Sequence, residues 1–211
     1  MGVLIFILAF TSLSAKFEAN ISLPLNSELI LISKNEGLLR VIKNTEQGYK
    51  KIDEFYASYG QAKGKKLKKD DLKTPVGIYF ATEIMTRSDL PDNKYGSAAF
   101  VLNYPNPIDA FFKRTGSGIW IHGTENIERL GDKKATLGCV ILENEDLLKL
   151  VNSNKISVNK TPIIISNKFD DVTILVSKNK QLRIEAKDGL VKYRVTIAGL
   201  GKPNILYERL N

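Results

Sequence analysis

Apolar residues along this chain fall mostly in short runs of β-formers bounded by turn residues, which is the pattern of strands. Glu28 to Lys43, ELILISKNEGLLRVIK, is two such runs parted by Asn35-Glu36-Gly37, a hairpin signal. Tyr49 to Tyr59, Val76 to Thr82, Ala98 to Asn103 and Thr161 to Ser166 read as further strands. Gly118 to His122 and Cys139 to Leu142 read as short ones. In the tail, ILVSKN (Ile174 to Asn179) nearly repeats ILISKN (Ile30 to Asn35). Thr173 to Ile184 therefore reads as an added hairpin, with Lys192 to Ile197 as one more strand. A single helix is expected after Leu142. Asn144 is its predicted N-cap, Glu145 and Asp146 face the helix dipole from the first turn, and Leu147, Leu148 and Val151 form its buried stripe. The fold class that follows is mainly β, a sandwich or barrel with one short helix.

Between these runs lie polar stretches. Lys63 to Lys73, KGKKLKKDDLK, reads as a solvated loop, or alternatively as a basic lip that meets an anionic polymer. Arg87 to Ser97 is a loop. Met1 to Ala15, MGVLIFILAFTSLSA, is apolar and ends in small residues. It reads as a secretory signal peptide, and is short of the roughly 20 residues that span a bilayer. The mature chain is thus expected outside the cytoplasm, without an integral membrane span.

Composition narrows the picture further. An apolar content of 43% across 211 residues suffices for a packed core. A net charge of +8 suits a polyanionic neighbour, but no nucleic-acid-binding motif accompanies it, so no nucleic-acid partner is expected. The single cysteine rules out an internal disulfide. In an oxidising compartment a lone thiol is retained more readily for chemistry than for packing.

That cysteine, Cys139, and the only histidine, His122, stand 17 positions apart, each beside a glycine and each on a short apolar run. A thiolate is the reactive form of cysteine, and an adjacent imidazole can take the thiol proton. Gly138 frees the backbone so that the N–H groups around Cys139, with Gly138 as second donor, can face a developing oxyanion. Gly123 leaves room for a backbone carbonyl beside the imidazole. A thiol so activated is expected to be partly ionised and to alkylate faster than a free cysteine. Spacing alone leaves a second reading open, a small buried cysteine and a satisfied core histidine. One His and one Cys fall short of a zinc site, so no metal is predicted.

The surrounding residues carry a resemblance. His122-Gly123-Thr124 is followed by Thr136-Leu137-Gly138-Cys139-Val140. Upstream stand LKTPVGIYF (Leu72 to Phe80) and LNYPNPIDAFFKRTGSGIWIHGT (Leu102 to Thr124), and downstream Asn144-Glu145-Asp146-Leu147. These four ordered blocks resemble the YkuD-type L,D-transpeptidases, in particular the subset found in Gram-negative bacteria. Many members carry Ser where Thr136 stands, which keeps the hydroxyl. Many carry Arg where Ile141 stands, so any hold of that Arg on substrate or backbone is missing here.

The resemblance implies an L,D-transpeptidase-like β-fold over residues 28–166, preceded by the signal peptide 1–15 and followed by a β-rich extension, 167–211. It implies a periplasmic enzyme of cell-wall organisation and cell shape that needs no cofactor and acts on peptidoglycan stem peptides. Cys139 would attack the L,D bond between the third and fourth stem residues, with His122 as base and then acid. An amine would resolve the thioester as a 3-3 crosslink, making the protein a transferase; water would make it an L,D-carboxypeptidase. A noncatalytic wall-binding module is a further alternative. Arg114 is expected to meet a substrate carboxylate, Thr136 to support the catalytic pair, and Trp120 to line the core or serve as a substrate platform. Nothing here predicts an oligomeric state.

Overall fold

A computed structural model describes residues 16–130, 134–175, 181–198 and 204–211. The signal-peptide expectation for Met1 to Ala15 lies outside them. The strands form two sheets, and the larger begins where the sequence places its hairpin. β2 (Glu28–Ser33) and β3 (Leu38–Thr45) pair antiparallel, and β4 (Gly48–Tyr56) continues the meander. β2 is central because it is apolar on both faces. Leu29 and Leu31 point to one side, Ile30 and Ile32 to the other, and all four are buried. β5 (Gly77–Thr86) and β9 (Pro162–Ser166) show the same double burial. With β6 (Ala98–Leu102), β7 (Trp120–His122) and β8 (Val140–Ile141), the order is β4-β3-β2-β9-β5-β6-β7-β8.

This sheet curls until its ends meet. Ser58, just after β4, exchanges backbone hydrogen bonds with Ile141 at 2.9 and 3.0 Å, and Gly60 bridges to Thr136. The interior holds Ile30, Ile32, Val41, Tyr79, Phe100, Ile121 and Ile163. Helix α2 (Asn144–Asn152) closes it with Leu147 and Leu150. The helix was expected, but its details differ. Glu143 is the N-cap, because the Asn144 side chain is used elsewhere, accepting from the Ser97 N–H at 2.9 Å. Leu148 is exposed, and Leu150 takes its place in the stripe, with Val151 only partly buried. A further helix, α1 (Pro107–Phe111), was not anticipated. The sequence NPID does carry its signal: Asn106 caps the Ile108 and Asp109 N–H groups, while the Asp109 carboxylate accepts from Asn106 N–H.

The second sheet corrects the reading of the tail. β10 (Val172–Leu175) and β11 (Arg183–Asp188) do not form a hairpin with each other. Between them lies β1 (Phe17–Ser22), parallel to β10 and antiparallel to β11. β12 (Val191–Ala198) and β13 (Asn204–Leu210) complete the order β10-β1-β11-β12-β13. β1 alternates cleanly, with Phe17, Ala19 and Ile21 buried and Glu18 and Asn20 exposed. Its buried face, with Ile184, Tyr193 and Val195, packs on Leu29, Leu31, Ile78, Phe80 and Ile164 of the larger sheet. The second core therefore lies between the sheets, and the C-terminal strands depend on an N-terminal one.

Candidate active site

β7 sits between β6 and β8, with Ala99 opposite His122 on one side and Ile141 parallel to His122 on the other. Ile119 and Ile121 enter the core, which turns Trp120 and His122 the opposite way. There Tyr95, on a 3-10 turn, covers both. Its ring is 4.8 Å from that of Trp120 and lies edge-on to the imidazole at 5.0 Å. Trp120 is thus half-buried under Tyr95 rather than free.

His122 Nδ1 is 2.6 Å from the Gly123 carbonyl oxygen. A carbonyl only accepts, so this bond requires the proton on Nδ1 and leaves the Nε2 lone pair for chemistry. Gly123 has no space for a side chain, since a Cβ there would stand 2.1 Å from Asn144 Oδ1. The Asn144 amide, held by Ser97 N–H, thus packs against the glycine whose carbonyl orients the imidazole. Burial, followed by the charges of Arg129 and Lys94, brings the imidazole down to about 4 against the pull of Gly123.

β8 runs parallel to β7 with Val140 level with Ile121, which brings Cys139 alongside Trp120. The thiol is half-buried and donates to the Gly118 carbonyl at 3.4 Å. Burial pushes the thiol up, although the Trp120 N–H and the charges of Arg129 and Lys66 favour its anion. Neutral thiol and neutral imidazole are the resting forms at pH 7. This corrects the expectation of a partly ionised thiol: desolvation outweighs the nearby cations. The proton then has to leave as the sulfur attacks.

The turn that carries Cys139 is built by threonines. Gly138 adopts φ +142°, a conformation that L side chains rarely take. The Thr136 hydroxyl accepts from Gly138 N–H at 3.0 Å and donates to the Cys139 carbonyl at 2.7 Å. The Gly138 N–H, expected at the oxyanion, is therefore held within the turn. The Thr74 hydroxyl, which lies in the LKTPVGIYF block but was given no role there, donates to the Gly138 carbonyl at 2.8 Å and accepts from Gly60 N–H at 2.8 Å. Buried Lys34 donates to the carbonyls of Thr74 and Gly64, each at 3.1 Å. Burial, and then the charge of Lys73, brings its ammonium down to about 8.

The lysine-rich segment is solvated over Lys63, Lys68 and Lys69, as expected, but two of its lysines turn inward. Lys66 is 3% exposed and pairs with Asp71 at 2.8 Å, while Lys65 pairs with Asp188 of β11. Burial would raise the Asp71 carboxyl, but the Lys66 ammonium and the Leu67 and Lys68 N–H groups outweigh it and bring it to about 2. Arg114 is also buried. Its two terminal nitrogens bond Asp109 at 2.8 Å and Asp188 at 2.7 Å, so the fork offered to a substrate carboxylate is engaged by carboxylates of the chain itself. Among the described residues no cluster of three or more His, Cys, Asp or Glu stands ready for a metal, and no helix is long and apolar enough to cross a membrane.

A curled β-sheet with this turn beside this histidine defines a class. Residues 27–165 match the model of the L,D-transpeptidase catalytic domain, YkuD, and the chain belongs to that family, whose members act on peptidoglycan. The chain is similar to the structure of Bd1075 from Bdellovibrio bacteriovorus at 21% identity, over 89% of this chain and 94% of that one, with a TM-score of 0.58. A point mutant of the helical cell shape determining protein Pgp2 from Campylobacter jejuni is 20% identical over 92% and 94%, with a TM-score of 0.60. The unmutated Pgp2 gives 19% over 93% and 88%, with 0.55. At these identities the likeness is one of fold, and it extends through both sheets. No protein of curated function matches the chain significantly.

Proposed function

We propose that this protein is an exported cysteine L,D-transpeptidase of the periplasm that acts on peptidoglycan stem tetrapeptides. The observation that carries the reading is the turn Thr136 to Cys139 set on β8 beside β7, within a domain of this family. Cys139 Sγ attacks the carbonyl carbon of the L,D bond as His122 Nε2 takes the thiol proton. The same imidazole then returns a proton to the departing D-amino acid. The Cys139 N–H faces the oxyanion. An amine of a second stem resolves the thioester into a 3-3 crosslink. Water resolves the same thioester into tripeptide, which is the L,D-carboxypeptidase outcome. Membership of the family and the name of Pgp2 support a role in cell shape.

Purified disaccharide-tetrapeptide, incubated with the protein and examined by mass spectrometry, tests this. Crosslinked dimer identifies the transpeptidase and monomeric tripeptide the carboxypeptidase. Unchanged substrate at high enzyme concentration leaves a wall-binding module and overturns catalysis.

A further inference from the structure

We propose that Thr74 is a positioning residue that aims the oxyanion donor of the nucleophile turn, an inference that deepens the cysteine reading of this site. The argument starts from one peptide plane. The Gly138 carbonyl and the Cys139 N–H belong to the same trans peptide unit, so they point in opposite directions. Whatever fixes the carbonyl fixes the N–H. The carbonyl is held at 2.8 Å by the Thr74 hydroxyl, which is buried. Among the described residues no backbone acceptor holds the Cys139 N–H. The preceding amide, that of Gly138, is spent on Thr136. The Cys139 N–H thus faces away from Thr74, on the atom next to the nucleophile's own Cα.

The Thr74 hydroxyl has the full valence for this duty. It gives its one proton mainly to Gly138, with the Cys139 carbonyl a more distant acceptor at 3.4 Å, and receives one from Gly60 N–H. Its backbone is wedged as tightly. A Cβ on Gly60 would lie 2.7 Å from Thr74 N, and one on Gly138 would lie 3.0 Å from the Lys73 carbonyl. The segment 72–74 therefore fills the space between the two glycines with no slack. Lys34 donates to the Thr74 carbonyl from behind. Gly138 needs such a hold, because at φ +142° a glycine peptide has several orientations of similar energy. Pinning the plane before substrate arrives removes its reorganisation from the reaction, which is the condition for effective charge stabilisation.

The test compares two reactions of one sulfur. Acylation by p-nitrophenyl acetate forms an Sγ–C bond through a tetrahedral oxyanion, expels p-nitrophenolate, and passes the thiol proton to His122. Alkylation by iodoacetamide displaces iodide from a saturated carbon and builds no oxyanion. Thr74→Val keeps the shape and deletes the hydroxyl. Its acylation rate, followed by p-nitrophenolate release and intact mass, is expected to fall at least about tenfold, toward the ~100-fold that loss of an oxyanion donor costs. Its alkylation rate stays within about twofold of the wild type, and Thr74→Ser restores acylation. Thr74→Ala, with a smaller side chain, is run in parallel in case the valine variant misfolds. Equal falls in both reactions, or no fall in either, overturn the proposal. Because p-nitrophenyl acetate needs no stem-peptide recognition, failure of the wild type on tetrapeptide would refute the substrate and leave this comparison intact.

Discussion

Cys139 bears the chemistry, but its surroundings decide when. The thiol is half-buried and its pKa raised, and the imidazole of His122 stays neutral down to about 4. Replacing Cys139 by Ala is expected to abolish turnover on tetrapeptide while leaving the urea unfolding midpoint within error, since the thiol's bonds to the Gly118 carbonyl and from the Trp120 N–H are weak. Measurable turnover in that variant would remove the nucleophile from the mechanism. The desolvated thiol also predicts how alkylation varies with pH. The rate with iodoacetamide should rise with a midpoint above the roughly 8.5 of an ordinary cysteine, and at pH 7 should be slower than that of a small free thiol. A midpoint near 6 would mean a preformed ion pair. Sequence alone favoured a partly ionised thiol, because it supplies a cysteine and a histidine and shows nothing of how dry the site is.

At the scale of elements, the parallel pair β7 and β8 carries the histidine at the last position of β7 and the cysteine just before β8, level with Trp120, and α2 follows directly after. Asn144 is the joint. Its Oδ1 accepts from Ser97 and fills the place where Gly123 would carry a Cβ. Gly123→Ala is therefore expected to displace the carbonyl under His122 Nδ1 and cut turnover by at least about tenfold, with a loss of roughly 1–3 kcal/mol in urea unfolding from the overpacked contact. The imidazole also links this region to pH. Unfolded, it takes up a proton near 6.5; folded, not until about 4. The unfolded chain binds more protons between these values. The His122 contribution is therefore complete above about pH 6.5 and is drawn down as pH falls toward 4, by roughly 3 kcal/mol. Urea titrations at pH 7 and pH 5 should show the fall in the wild type and a smaller one in His122→Gln. Much of this level was legible. The runs around β2, β3, β6 and β9 announced their strands, and the glycines flanking His122 and Cys139 marked the turns. The roles of Thr74, Lys34 and Asn144 were not legible, even where Thr74 and Asn144 fall in the resembling blocks, because each acts through a partner tens of residues away.

On the whole molecule, the two sheets are joined by charge as well as by apolar packing. Arg114 lies buried between Asp109 of α1 and Asp188 of β11, and Lys65 from the lysine-rich segment reaches the same Asp188. Asp188→Ala would leave Arg114 with Asp109 as its one carboxylate and take the partner from part-buried Lys65, and is expected to lower unfolding free energy by about 3 kcal/mol. A change below about 1 kcal/mol in chemical denaturation would show that the sheets are held by their apolar faces alone. Within the segment 63–73 the inward turn of Lys65 was not legible, because composition does not reveal that Asp188, more than a hundred positions later, comes to meet it.

β1 sits between β10 and β11, and that placement sets an order in time. Ala19 pairs with Val172 and Ala186, so the first strand to leave the ribosome meets its partners only after about 150 further residues are made. Until then Phe17, Ala19 and Ile21 have no sheet to join, and the outer faces of β2, β5 and β9 lack their cover. Closing so long a loop is slow, because its entropy is lost before any contact repays it. A nascent chain of this kind cannot complete its fold while still being synthesised. That delay leaves the last step of assembly to the finished chain, when β10 and β11 close on either side of β1.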